Sequence, residues 1–130
     1  MSATFGIGIS SALVIDLGAT SVSVSCIEDG FCVPSSRVLL PVGGDQVTRF
    51  FHHLLRDSSF PYAPCHPQSS LLDFELLNEM KERFCTLREN DLNVNICDFY
   101  VRRPGARTLA FQLKTFDEVI LAPMVLYENY

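Results

Sequence analysis

Ser21-Val22-Ser23-Val24-Ser25-Cys26 alternates polar and apolar side chains without a break, and only an extended strand places every apolar member of such a run on one face. Val22, Val24 and Cys26 share one side and the serines the other. Upstream, the apolar run at 12–15 stops at Asp16-Leu17-Gly18-Ala19-Thr20, and downstream the alternation stops at Glu28-Asp29-Gly30. Asp-Gly tolerates the positive φ of a tight hairpin. The spacing therefore predicts two hairpin turns close together, with Phe31-Cys32-Val33 running back. Val38-Leu39-Leu40 reads as a further strand, ended by Pro41 and Gly43-Gly44.

The period then changes. Val47, Phe50, Phe51, Leu54 and Leu55 recur at helical spacing over 45–57, with Asp45 as the expected N-cap. Pro61, Pro64 and Pro67 follow and exclude a continuing helix. Ser70-Leu71-Leu72-Asp73 has capping-box spacing, and Leu72, Leu76, Leu77, Met80, Phe84 and Leu87 predict a second and longest helix over 70–87. The polar stretch 88–95 reads as a loop. Residues 96–101 and 108–113 read as strands joined by Arg103-Pro104-Gly105-Ala106, whose central Pro-Gly is the mark of a type II turn. Val119-Ile120-Leu121 reads as a last strand, so a terminal hairpin region spans 96–122.

A chain of 130 residues, 48% hydrophobic and 19% charged, fits one domain. Its formal net charge of -5 argues against wrapping nucleic acid or anionic lipid as a whole. The apolar run at 119–127 is too short to cross a bilayer and contains Pro123. With no basic residue before Arg37, the start has no leader-like charge pattern, and the chain reads as soluble and intracellular. The five cysteines form no Cys-x-x-Cys pair, so they read as buried thiols rather than a disulfide framework or zinc clip. Cys65-His66 and His52-His53 offer zinc-type ligands, but neighbouring side chains point apart and the spacing is poor.

Asp16-x-Gly18 carries the clearest chemical signal. A sharp turn after an apolar strand projects main-chain N–H groups, and the carboxylate can hold a hydrated magnesium near phosphate. The same pattern occurs at plain turns, where Asp bonds its own backbone. Gly43-Gly44 opens a helix whose first N–H groups could meet a ligand, or simply permits a tight strand-to-helix turn. Lys81-Glu82 pairs a cation and a carboxylate on the polar side of the second helix, fit for a ribose and base edge or for plain solvation. Arg102, Arg103 and Arg107 gather at the Pro-Gly turn. Walker, Gly-x-Ser-x-Gly and His-Glu-x-x-His patterns are absent, which disfavours a standalone enzyme.

In this order, strand, Asp-x-Gly hairpin, glycine-opened helix, proline loop, Lys-Glu helix and terminal hairpin resemble the second half of the actin fold. ATFGIGISSALVIDLG at 3–18, CIEDG at 26–30, GGDQVTRFF at 43–51, FPYAPC at 60–65, MKERFCTL at 80–87 and APM at 122–124 resemble its nuclear, chromatin-remodelling branch more closely. The resemblance implies an α/β class, a partial actin-like (ribonuclease H-like) ATPase fold with a mixed sheet, hairpins and two main helices. It places the second phosphate hairpin near 13–33 within a second-half lobe. It also implies nucleotide contacts at Asp16, Gly18 and Gly44, with Lys81 and Glu82 near ribose and base, and no catalytic or metal residue.

The departures carry the functional expectation. Actin has Asp-x-Gly-Asp-Gly where this chain has Asp16-Leu17-Gly18-Ala19-Thr20, losing a carboxylate and a flexible position, so poor or absent hydrolysis is expected. A complete actin fold is several times longer. The resemblance thus implies ATP with Mg in a full-length protein, no cofactor for this piece alone, and an apolar edge needing further elements or a partner. It implies a nucleus-localised, non-catalytic subunit of an Ino-eighty-type remodelling complex, acting in transcription, DNA repair and recombination. Nuclear actin, another actin-related protein and the motor subunit would be its partners, with histones and linker DNA engaged through the complex and no membrane. The alternatives are an ATP hydrolase of the actin, heat-shock and sugar-kinase superfamily, or a filament former.

Overall fold

The computed structural model describes residues 2–88 and 93–127, which divide after Asp45 into two compact units. One domain was expected from length. The division has a physical cause: the buried hydrophobic cluster draws only on residues from Val47 onward, while the first unit is held largely by strand pairing.

In the first unit, helix α1 (Ser2–Ile7) is followed by strands β1 (Ala12–Leu17), β2 (Val22–Glu28), β3 (Phe31–Cys32) and β4 (Val38–Leu40), with a 3-10 turn at Pro34–Ser36. The helix was not foreseen, because six residues give too little periodicity to read. β2 lies central: β1 pairs along one side, and β3 and β4 share the other, all antiparallel. Where neither β3 nor β4 reaches, Ser36 fills in. Its Oγ accepts from the Cys26 N–H at 2.9 Å and donates to the Val33 carbonyl at 2.7 Å. The second turn has φ 50° at Asp29 and 82° at Gly30, the doubly left-handed geometry expected of Asp-Gly.

The alternation of β2 is real, and register shows what it builds. Leu13, Ile15 and Leu17 of β1 stand opposite Cys26, Val24 and Val22, and Val38 and Leu40 of β4 stand opposite Val24 and Val22. One sheet face is thus apolar from Val22 to Cys26 and across β1 and β4, with Glu28 at its end. Leu13, Ile15, Leu17, Val38 and Leu40 on it are exposed, as the resemblance implied for a partial fold.

The second unit holds most of helix α2 (Gly44–Asp57), then α3 (Leu71–Phe84), β5 (Asn95–Val101), β6 (Leu109–Thr115) and α4 (Glu118–Met124). α2 buries Val47, Phe51 and Leu55, but also Thr48 and His52, two polar residues an apolar stripe does not reveal. Asp45 lies in the first turn rather than at the N-cap, because the helix already begins at Gly44. α3 is no longer than α2, at 14 residues each. Leu76, Leu77 and Met80 are buried, whereas Leu72 is 42% and Leu87 54% exposed; the helix ends at Phe84, before Leu87. Half of the capping box forms: Ser70 Oγ accepts from the Asp73 N–H at 3.3 Å. The Asp73 side chain turns elsewhere, to Arg103 and the His66 N–H.

β5 and β6 form an antiparallel hairpin, and Phe99 and Phe111 stack across it at 5.4 Å between centroids. The Ala106 N–H donates to the Arg103 carbonyl at 3.1 Å and Gly105 has φ 71°, which bears out the type II turn. Of the expected 88–95 loop, residues 89–92 lie outside the described residues. The last expected strand, Val119-Ile120-Leu121, is instead the body of α4. Glu118 explains the start, because its Oε2 accepts from the Phe116 N–H at 2.7 Å. Pro123 lacks the N–H that would bond to Val119, and the Val119 carbonyl instead accepts from the Thr86 N–H at 3.0 Å.

Candidate functional site

The Asp16-x-Gly18 turn is a four-residue connection, since Leu17 and Val22 are the last paired residues of β1 and β2. It closes through the Gly18 N–H, which donates to the Ser21 carbonyl at 2.9 Å. A Cβ on Gly18 would stand 2.9 Å from that same oxygen, so the turn admits glycine only. At its tip Ala19 and Thr20 are exposed, and their main-chain N–H groups take part in no hydrogen bond among the described residues. Two such donors on an exposed loop suit a phosphate oxygen. Asp16 lies at the end of β1, exposed, opposite Ser23.

The glycine pair is bound to this turn. The Gly44 N–H donates to the Gly18 carbonyl at 3.0 Å, and the Asp45 N–H to the Ala19 carbonyl at 2.7 Å. The first N–H groups of α2 therefore hold the hairpin, so Gly44 joins helix to turn through its N–H rather than offering it to a ligand. Gly43 is the tighter position. A Cβ there would lie 2.5 Å from the Gly18 oxygen and 2.6 Å from the Ala19 oxygen, closer than such atoms approach. The sequence marked the pair, but only the fold shows which member faces backbone.

Lys81 and Glu82 belong to the second unit, whereas Asp16, Gly18 and Gly44 lie in the first. Both side chains are tied to Asn78, which the motif reading missed. Lys81 Nζ donates to Asn78 Oδ1 at 2.6 Å, Asn78 Nδ2 donates to Glu82 Oε1 at 2.8 Å, and buried Thr48 donates to Asn78 Oδ1 at 3.4 Å. The helix spacing of i, i+3 and i, i+4 makes the first two possible. Lys81 is half-buried and Glu82 exposed. An oriented carboxylate and ammonium on one helix can meet a polyhydroxylated ligand, though this network also serves to join α2 to α3.

Arg102 and Arg107 are exposed, while Arg103 turns inward to Asp73 and Tyr62. No group of three or more His, Cys, Asp or Glu side chains among the described residues is placed to hold a metal. The reading of the cysteines as buried thiols holds for Cys65 alone, since Cys26, Cys32, Cys85 and Cys97 are half-buried on strands or at a helix end; burial pushes the Cys65 and Cys85 thiols up to about 12. Among the described residues no helix is long and apolar enough to cross a membrane.

Comparison with known proteins places this geometry. The family model described as Actin matches residues 1–105. The chain is 42% identical over 125 residues to actin-related protein 8 of Danio rerio, covering 96% of this chain and 20% of that protein. It is 40% identical over 121 residues to the probable actin-related protein 8 of Schizosaccharomyces pombe, covering 93% of this chain and 18% of that protein. It thus spans about one-fifth of the length of these curated relatives. A solved structure of human actin-related protein Arp8 in its ATP-bound state superposes with a TM-score of 0.91 at 36% identity, over 96% of this chain and 25% of that one. The strands, the glycine-only turn and the helix bonded to it are accordingly a portion of the actin fold, and the chain belongs to the actin family.

Proposed function

We propose that the full-length protein carrying this chain is a non-catalytic, nucleus-localised actin-related subunit of an Ino-eighty-type chromatin-remodelling complex. Its partners are nuclear actin, another actin-related protein and the remodeller motor subunit, with histones and linker DNA engaged through the complex. Transcription regulation, DNA repair and recombination follow from that membership.

One observation carries the reading: the hairpin keeps a glycine-only backbone architecture while a carboxylate and a second glycine are replaced. Gly18 and Gly43 stand where no side chain fits, so the turn and its helix are preserved. Ala19 and Thr20 stand where actin has Asp-Gly. The unused N–H groups at that tip fit a phosphate, and Asp16 can meet a hydrated magnesium from one side. ATP with Mg, if bound in the full-length protein, would supply phosphate oxygens for main-chain donors and a cation for a carboxylate. This chain contributes one wall through Asp16, Gly18, Ala19 and Thr20. The ATP-bound state of human Arp8 supports binding as the retained property.

Fractionation of nuclear extract tests the reading, using an antibody raised against residues 102–108 of this chain. A band several times heavier than 14.6 kDa that travels with actin and nucleosome-remodelling activity is expected. A band that travels free of both contradicts it.

A further inference from the structure

A second candidate site lies wholly in the second unit. Between α2 and the proline loop at 60–68 is a cavity of about 350 Å³, lined by His52, Arg56, Ser59, Tyr62, His66 and Gln68, with Phe60 among its walls. That volume lies at the lower end of small-ligand pockets, about 300–1,000 Å³. In a chain of net charge -5, no carboxylate among the described residues lines it. Two of the three histidines of the chain do.

The walls are fixed in place. His52 is 5% exposed and meets Phe60 edge to face at 6.2 Å. The His66 main chain is held on both sides: its N–H donates to Asp73 Oδ2 at 3.0 Å, and its carbonyl accepts from the Ser69 and Ser70 N–H groups at 3.1 and 2.8 Å. The His66 side chain is nonetheless exposed, so a rigid loop presents a free imidazole. Asp73, whose charge acts on His52, is already shared between Arg103 and the His66 N–H. The field around His52 is correspondingly positive. Burial first, then Arg56, His66 and His53, disfavour its protonation, and Asp73 opposes them.

We infer that this cavity binds the phosphate dianion of a phosphate monoester, with the Arg56 guanidinium, the His52 and His66 imidazoles and the Ser59 hydroxyl as donors. A guanidinium, two imidazoles and a hydroxyl line one void, and a dianion offers each of them an acceptor, the guanidinium through charge-assisted hydrogen bonds. The void exceeds a bare phosphate, leaving room along Phe60 and Tyr62 for the group that bears it. The inference does not depend on the nucleotide hairpin, and either can fail without the other.

The test is histidine NMR on the full chain without nucleotide, titrating sodium phosphate at constant ionic strength. Saturable shifts of the His52 and His66 signals at millimolar phosphate are expected, with Arg56→Gln weakening binding at least tenfold. His53→Gln serves as control, since His53 is exposed and faces Asp57 at 3.3 Å; it should leave affinity unchanged. Where Arg56→Gln disturbs the fold, His66→Gln on the exposed loop side gives the same readout. Tighter binding of a phosphoserine peptide than of inorganic phosphate assigns the source to a protein side chain, and equal binding assigns it to a soluble ester. Shifts that never saturate, or an affinity unchanged in both cavity variants, overturn the site.

Discussion

Arg103, at the tip of the β5–β6 hairpin, reaches the carboxylate of Asp73 in the first turn of α3, and it also donates to the Tyr62 hydroxyl at 3.2 Å. Asp73 is 4% exposed, and its second oxygen takes the His66 N–H. One carboxylate thus ties a hairpin, a helix start and the proline loop together. Asp73→Ala takes the counter-ion from a partly buried guanidinium and the acceptor from the His66 N–H, and should cost about 2–4 kcal/mol of stability. Thermal denaturation against the parent chain reads this directly, and a change within error would show the pair to be a surface contact.

Core and non-core members of the helical stripes should separate cleanly. Phe51 and Leu77 are fully buried, so Phe51→Ala and Leu77→Ala are each expected to cost about 2–5 kcal/mol. Leu72 is 42% exposed, and Leu72→Ala should cost less than about 1 kcal/mol. Urea unfolding of the three variants measures the ordering.

Gly43→Ala should damage the hairpin rather than α2. The added methyl meets the Gly18 and Ala19 main chain, and neither can retreat without breaking the bonds to Gly44 and Asp45. Hydrogen exchange should show faster exchange of the Gly18, Gly44 and Asp45 amides, with the Phe51 and Leu55 amides unchanged. In the full-length protein the same variant should lose ATP affinity.

Acid should weaken the fold in two stages. His52 has its pKa lowered from 6.5 by burial first and by Arg56, His66 and His53 after it. The unfolded chain therefore binds the extra proton, and the stability present above pH 6.5 falls as pH drops below it, until native His52 also protonates. Burial would raise the Glu118 pKa, but hydrogen bonds from the Ser58 hydroxyl and the Phe116 and Glu118 N–H groups outweigh it and lower it from 4.5. Its contribution is present above that value and is lost as pH falls further. Unfolding free energy against pH should show both declines, and His52→Gln should remove only the first.

How much of this was legible in sequence depends on the range of the interactions. The alternation through Cys26, Asp29-Gly30 and Arg103-Pro104-Gly105-Ala106 each encodes its geometry within a few residues, and each formed as read. The strand at Val119 was misread because its short apolar run fits either period. What decides it is Glu118 reaching back to Phe116 and Thr86 taking the carbonyl that Pro123 leaves free. At the site, Asp16 and Gly18 were visible as a turn and Lys81-Glu82 as a charged pair. Gly43 as the tight glycine and Asn78 as the tether of Lys81 were not, because both arise from contacts between elements distant in sequence. The burial of His52 was hidden for the same reason.

The most direct test of a retained nucleotide wall without turnover is ATP binding and hydrolysis by the purified full-length protein. The expected result is near-stoichiometric bound ATP, weakened by Gly43→Ala, with no phosphate released over many hours. Repeated turnover that disappears on Asp16→Asn would instead make the protein an ATPase and contradict a non-catalytic role.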